Sequence, residues 1–368
     1  MQASREQVIA YRVAAQQLDR SGRTARGLAV LDIGVQDGAG EAARLAFDAR
    51  LPSTPRDDLF GPDASLALVW SLRGAPYVHR RGDLARLAAA LYPLSEADAT
   101  QRLSETGPSV DRAGIAALDQ FATAAAAMRK AVTRPTGKGA TSTAVTKAIP
   151  EAMRRPCRTC KTSHISDAAM RAAALAAGLE LQPGTSPPVL QRFASSTLAT
   201  KANRGALTRL ARACLALLGP ATSAHVASYL DVRRGDLEQV WPDDLVEVTI
   251  GKVATWLPSE CQHLFDTAKP PELVRLLSGF DPYLQARDRE LIVPTASRHK
   301  ALWPVLGRPG AVFVDGEVVG TWRPKASRGK LTIALDLFGR LPAAAREQID
   351  AEAERVAAVR GLALKAVA

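Results

Sequence analysis

Cysteine and histidine are scarce in this chain, four and five in 368 residues. Their number and spacing suggest no disulfide scaffold. Cys214 falls on an apolar helix face and reads as core, Cys261 stands alone, and only Cys157 and Cys160 form a close pair. No apolar run approaches the roughly 18 residues that a membrane span needs. The opening residues, MQASREQVIAYR, lack the apolar core of a signal peptide. A cytoplasmic protein is therefore expected, with no membrane contact. Lysine is sparse beside arginine and alanine is abundant, a bias of GC-rich genomes that explains part of the arginine content. What the chain does have is 47% hydrophobic and 23% charged residues, the balance of a globular protein. Its length allows two or three modules with their own cores. The net charge of +11 and a pI near 9.8 suit a polyanionic partner, of which DNA is the commonest in a cytosol.

The segment from Arg204 to Pro258 carries the clearest pattern. Leu207, Leu210, Ala211, Cys214, Leu217 and Leu218 recur at helical spacing, and Gly219-Pro220 stops that helix. Thr222 or Ser223 can cap a second helix that turns Val226, Tyr229 and Leu230 inward. A third fits Arg234 to Val240, ending before Pro242. Val246, Val248 and Ile250 then alternate with polar residues, Gly251-Lys252 turns, and Val253 to Leu257 returns. Three short helices and a hairpin are the order of a winged helix-turn-helix, which sets its third helix in a DNA major groove. The same order also serves protein contacts. A partial copy lies 81 residues upstream: Ala140-Thr141-Ser142 and Val145 match Ala221-Thr222-Ser223 and Val226, and Ile149 matches Leu230. Duplication of one supersecondary unit accounts for it.

Similar units recur along the chain. Helices at 5–20 and 42–50 precede strand-like Leu66 to Leu72, a turn at Arg73 to Pro76, and a return through Tyr77 to Arg80. A loop is expected over 52–63. Helices follow around Pro93 and over 115–132, then the repeated helix at 141–149, a basic loop over 150–166, a helix at 167–177 and short strands at 179–181 and 189–193. Beyond Pro258 a short helix is expected at Glu272 to Leu277, and the last region reads as β-rich. Ala311 to Val314 and Val318 to Arg323 flank Asp315-Gly316, a favoured hairpin turn. Lys330 to Phe338 alternates as a third strand, and a closing helix is expected over 342–364. The expected division is 1–95, 96–200, 201–262 and 263–368: three winged-helix modules and a C-terminal β-subdomain, mainly α with a small β part (α+β).

Cations gather at several places. Thr321 to Lys330 holds Arg323, Lys325, Arg328 and Lys330 and no acid, with Gly and Ser that let backbone approach DNA phosphates. Lys138 sits between glycines, and a helix start at Thr141-Ser142 would offer free N–H groups to a phosphate. Cys157, Cys160 and His164 are spaced as three ligands, but a structural zinc site wants four and no fourth is near. No metal or cofactor is assigned.

Three blocks carry a family resemblance: Leu72 to His79 (LRGAPYVH), Phe280 to Arg289 (FDPYLQARDR) and Val312 to Arg323 (VFVDGEVVGTWR). Together they resemble the AlkZ/YcaQ-type winged-helix DNA glycosylases, over about Gln7 to Arg360. The resemblance implies three tandem winged helices set as a C around a DNA channel. It also implies excision of alkylated purines, crosslinked ones included. The family's motif is Gln-x-Gln or Gln-x-Asp in the first module, and the matching place is Gly34-Val35-Gln36-Asp37. Aligned on the acid that follows the motif, Gln36 takes the second position and Gly34 the first, where the family has Gln. Aligned on Gln-then-acid, Asp37 comes one residue early.

Cleaving an N-glycosidic bond builds positive charge on the deoxyribose. A carboxylate can face that cation and accept the proton of an attacking water. Asp37 is the candidate base or electrostatic partner, and Gln36 the residue that positions water or sugar. As a plain reading, Gln36-Asp37-Gly38 is also turn chemistry. His79 is placed at the first wing, for DNA, for the Gln36 site, or for packing. The expectation is a monomeric, monofunctional glycosylase on double-stranded DNA. The alternative, which Gly34 favours, is a non-catalytic winged-helix DNA-binding protein for damage sensing or transcriptional control.

Overall fold

A computed structural model describes residues 1–38, 41–54, 59, 64–103, 114–193 and 198–368. Most of the loop expected over 52–63 lies outside these residues. Helices and strands mix along the chain in an α+β fold. Two compact units share it: the first takes 1–59, 213–225 and 243–368, the second 60–212 and 226–242. The units interleave where the sequence suggests consecutive blocks, and the helices of the 204–258 segment divide between them.

In the first unit, helix Arg5–Ala15 starts at Ser4, whose hydroxyl accepts the Gln7 amide. Tyr11 meets Phe265, with ring centroids 5.5 Å apart, in a core shared with Val8, Val248 and Leu257. The same helix closes the end of another. The C-terminal carbonyls of helix Arg204–Leu218 have no partner within the helix. Tyr11 donates to Ala216 O, Gln16 to Leu217 O at 2.9 Å, and Arg12 to Gly219 O at 3.0 Å. The hairpin Leu245–Ile250 and Val253–Pro258 forms as expected. Gln2–Ala3 joins it as a third, parallel strand.

The C-terminal part of this unit is a five-stranded sheet in the order Val274–Leu277, Gly310–Val314, Glu317–Ser327, Lys330–Leu337 and Ala363–Val367; the helix expected at Glu272 to Leu277 is instead its first strand, paired with the second. Asp315 and Gly316 turn the second strand into the third, both at positive φ. Helix Ala343–Val359 covers one face. Its Ala345, Ile349, Ala353, Val356 and Ala357 recur at helical spacing and pack on Val274, Val312, Trp322, Leu331 and Ile333. The expected helix to Leu364 ends five residues early. Gly361 and Leu362 donate to Ala358 O and Ala357 O, a pairing that ends helices, and the chain leaves as the fifth strand.

The second unit packs helices Glu96–Leu103, Ala117–Ala131 and Asp167–Ala174 around Phe121, Ala124, Met128 and Met170. Within it, Pro76–Arg80, Leu66–Trp70, Leu179–Leu181, Val189–Arg192 and Thr136–Gly137 pair in that order, antiparallel throughout. The basic region over 150–166 holds a separate hairpin, Arg155–Cys157 with Thr162–His164, where a loop was expected.

The two acids of the Phe280–Arg289 block are tied to arginines of the first unit. Arg50 and Asp281, neither with exposed side-chain surface, form a bidentate pair at 2.8 and 2.9 Å. Arg12 and Asp288 pair at 3.0 and 2.5 Å. Removing one member of a buried pair strands the other charge, at about 3–5 kcal/mol. Asp281→Ala is therefore expected to lower unfolding stability by about that amount, read from the urea midpoint. Ser53→Ala, in a surface loop, should leave it unchanged.

Candidate active site and nucleic-acid surface

Gln36 ends the short extended segment Val35–Gln36, and Asp37 follows it. Both are half-buried. Asp37 Oδ1 accepts the amide of Ala43 at 3.2 Å, in the first turn of helix Ala42–Asp48. Burial raises the Asp37 carboxyl above its ordinary value; the amides of Ala43 and Ala42 and the charge of Arg44 oppose the rise, and Glu41 adds to it. Gly34 has φ of 80°, in the left-handed region, where a Gln would be strained. Position 34 is thus built for a turn, and the polar pair at this place is Gln36-Asp37.

The wall beside Asp37 comes from the 278–285 segment. A Cβ on Gly38 would stand 2.6 Å from Cε2 of Phe280, so the ring lies against the glycine backbone. Ser278 Oγ donates to Ala42 O at 3.4 Å, at the head of the same helix. Arg50, just past the helix end, donates to Ala46 O at 2.8 Å and to Asp281. Three contacts therefore hold Asp37 and its helix to the segment that carries Phe280.

From Phe280 the contacts lead outward. The Arg308 guanidinium lies 5.6 Å from the Phe280 ring centroid. Its loop also carries Val305 and Leu306, 98% and 86% exposed. Next in the loop, Gly307 sits close to Arg323: a Cβ there would be 3.9 Å from Arg323 Nη1. Phe280 and Arg308 were missed in the sequence, because the contact of Phe280 with Gly38, and of Arg308 with Phe280, is long-range.

Arg323 opens the cationic hairpin. Arg323, Lys325 and Ser327 alternate along one strand, and Ala334, Thr332 and Lys330 stand opposite them. The other face carries Trp322, Leu331 and Ile333 into the core. Strand alternation therefore sets Arg323, Lys325 and Lys330 on the outward face, all exposed. Arg328 and Gly329, both at positive φ, make the two-residue turn. Lys365 lies where the fifth strand bulges between its partners Leu331 and Thr332, and it is exposed too. Among the described residues none of these five cations has an ion-pair partner.

The second unit alters three expectations. Its helix starts at Lys138, with Gly137 as cap, rather than at Thr141-Ser142. Thr141 is buried and its hydroxyl donates to Gly137 O at 3.1 Å, so it offers nothing to a phosphate; Ser142 is half-buried inside the helix. Lys138 pairs with Asp167 at 2.5 Å, and Asp167 also holds Arg171 at 2.7 Å. His79 is 2% exposed, with Nε2 3.0 Å from Ser71 Oγ. Burial and the nearby Arg80 push its imidazole down to about 3, so it stays neutral, in keeping with the packed alternative for this residue. In the later copy of the repeat, Thr222 does cap its helix, accepting the His225 amide at 3.2 Å. The equivalent Val145 and Val226 are both buried.

Comparison with solved structures finds the same fold in the Streptomyces sahachiroi DNA glycosylase AlkZ, with TM-score 0.75 over 100% of both chains at 21% sequence identity. No curated protein matches the sequence significantly. The family model described as DNA glycosylase AlkZ-like matches residues 14–359. The chain belongs to the AlkZ-like DNA glycosylase family.

Proposed function

We propose that this protein is a monomeric, monofunctional DNA glycosylase that hydrolyses the N-glycosidic bond of alkylated purines in double-stranded DNA. The observation that carries the reading is a run of neighbours within one unit: Gly38, next to Asp37, lies against Phe280, Arg308 lies over that ring, and Gly307, beside Arg308, approaches Arg323. It links the segment against the Asp37 turn to the loop that borders the cationic hairpin. In this reading helices followed by hairpins act as winged-helix modules around the duplex. The hairpin face of Arg323, Lys325, Arg328, Lys330 and Lys365 meets phosphates, and the exposed tip at Val305-Leu306 enters the groove as an apolar wedge.

The chemistry follows from the charges. The bond from C1′ to the purine nitrogen breaks, and the base leaves with the electron pair. A cationic alkylated purine departs neutral, so a modest site suffices. Gln36 holds a water by hydrogen bonds. As the water oxygen bonds to C1′, Asp37 accepts its proton, and the carboxylate faces the sugar cation meanwhile. No cofactor enters the scheme.

Two experiments test this. In single-turnover release of 7-methylguanine from methylated duplex, Asp37→Asn should slow release by at least about 100-fold, the usual worth of a positioned base, without loss of DNA affinity. The base works ionised, so release by the native protein should rise with pH through one ionisation above the ordinary aspartate value of 3.8. A flat profile, or release unchanged in Asp37→Asn, would remove Asp37 from the reaction. In the second, duplex affinity is measured against salt. Lys325→Ala and Lys330→Ala should each reduce the slope of log K on log salt by about one contact. Leu306→Ser should weaken binding with the slope unchanged. Mutants with native slope and affinity would place DNA elsewhere.

A further inference from the structure

The hairpin over 155–164 in the second unit is too poor in packing to stand by itself. Each strand has three residues, it pairs with no other strand among those described, and Pro156, Thr162 and Ser163 are exposed. An isolated two-stranded ribbon is marginal in water. No apolar cross-strand pair supports this one. Met153 and Ile165 anchor its two ends in the core, and Ile165 N donates to Thr146 Oγ1 at 3.1 Å, but nothing apolar fixes the ribbon between them.

Its tip brings together three side chains of one chemistry. Cys157 Sγ, Cys160 Sγ and a ring nitrogen of His164 lie within 4.8 Å of one another, and no other such cluster occurs among the described residues. The turn is shaped for this: the Cys160 amide points at Cys157 Sγ at 3.5 Å, and Lys161 takes φ of 52° to reverse the chain after the second cysteine. His164 Nδ1 lies 2.6 Å from Ile165 O, which leaves Nε2 as the nitrogen for a ligand. That backbone contact is the usual support that fixes the ring of a metal-binding histidine. None of the three is in a disulfide, and two thiolates with one imidazole are ligands suited to zinc. With bonds of about 2.3 Å to sulfur and about 2.0 Å to nitrogen, a tetrahedral ion needs its ligand atoms to close by roughly 1 Å. Cys160 is exposed and Cys157 and His164 are only half-buried, so side-chain rotation can cover that distance.

We propose that Cys157, Cys160 and His164 bind one zinc ion that staples this hairpin, with the fourth position open to solvent. The missing fourth ligand, which argues against a site when spacing alone is read, makes the ion more exchangeable than in a four-ligand site. The ion would fix a tip that presents Arg158 and Lys161, both exposed, in one conformation.

The test uses the full chain purified without chelator. Elemental analysis should find close to one zinc per chain. Cys160→Ser and His164→Ala should lose it, whereas His164→Cys, which keeps a ligand, and Ser163→Ala, a neighbour, should retain it. After exchange with cobalt(II) the native protein should show thiolate-to-cobalt charge-transfer absorption. Limited trypsin digestion should cut after Arg158 and Lys161 only once the metal is chelated. A metal-free protein with no cobalt bands, whether its cysteines are reduced or joined as a disulfide, would overturn the proposal. So would full zinc content in both Cys160→Ser and His164→Ala.

Discussion

The buried pair of Arg50 and Asp281 is the constraint on which the candidate site rests. Two full charges leave water there, at a cost of several kcal/mol that only close geometry and added hydrogen bonds offset. Both are present. The guanidinium meets both carboxylate oxygens and also donates to Ala46 O and Gln16 Oε1, and Asp281 Oδ1 takes the Tyr283 amide. A well-packed apolar pair can match such an arrangement in stability. It would not impose the same direction. The ion pair allows one register between the helix that follows Asp37 and the segment that carries Phe280. Gly38, with no side chain to hold the ring off, then lets that segment close.

Charge placement in the first unit follows one division. Arginines that serve structure are buried against acids or carbonyls: Arg12 on Asp288 and a helix end, Arg50 on Asp281, Arg355 on Asp48. Exposed cations without an ion-pair partner among the described residues stand on the outward face of one hairpin, with the hydrophobic core on its inward face. The net charge of +11 is thus partly internal and partly displayed. Only the displayed part can release counterions from DNA. Lys138, attractive by sequence, shares the partly exposed Asp167 carboxylate with Arg171, so two cations there stand against one acid.

Local patterns were legible in the sequence, and long-range ones were not. Alternation marks the strands at Leu245–Ile250 and Lys330–Leu337, a short apolar run marks Leu66–Trp70, and Asp315-Gly316 marks its turn. Helical spacing marks Arg204–Leu218. The closing helix was drawn too long because alanines favour helix and Leu364 fits either period, while Gly361 decides the end. Two residues, Gln2–Ala3, carry no pattern at all, and their strand exists only through its partner. The short hairpin at 155–164 is hidden by arginines that read as a loop. His79 and Thr141 looked available because polarity suggests surface, yet each satisfies its hydrogen bonding inside. Phe280 and Arg308 join the site through contacts that no local window contains, whereas the place of Gln36-Asp37 came from family resemblance rather than from spacing.

The central claim is that the Asp37 carboxylate faces a cation forming on the sugar. The direct measurement compares affinity for duplexes carrying a cationic pyrrolidine or a neutral tetrahydrofuran in place of one nucleotide. A site built for the transition state binds its charged mimic the tighter. The native protein should prefer the cation by about tenfold or more, one step of 1.4 kcal/mol, and Asp37→Asn should lose that preference while binding the neutral duplex as before. Equal affinity of the native protein for the two mimics would contradict the account.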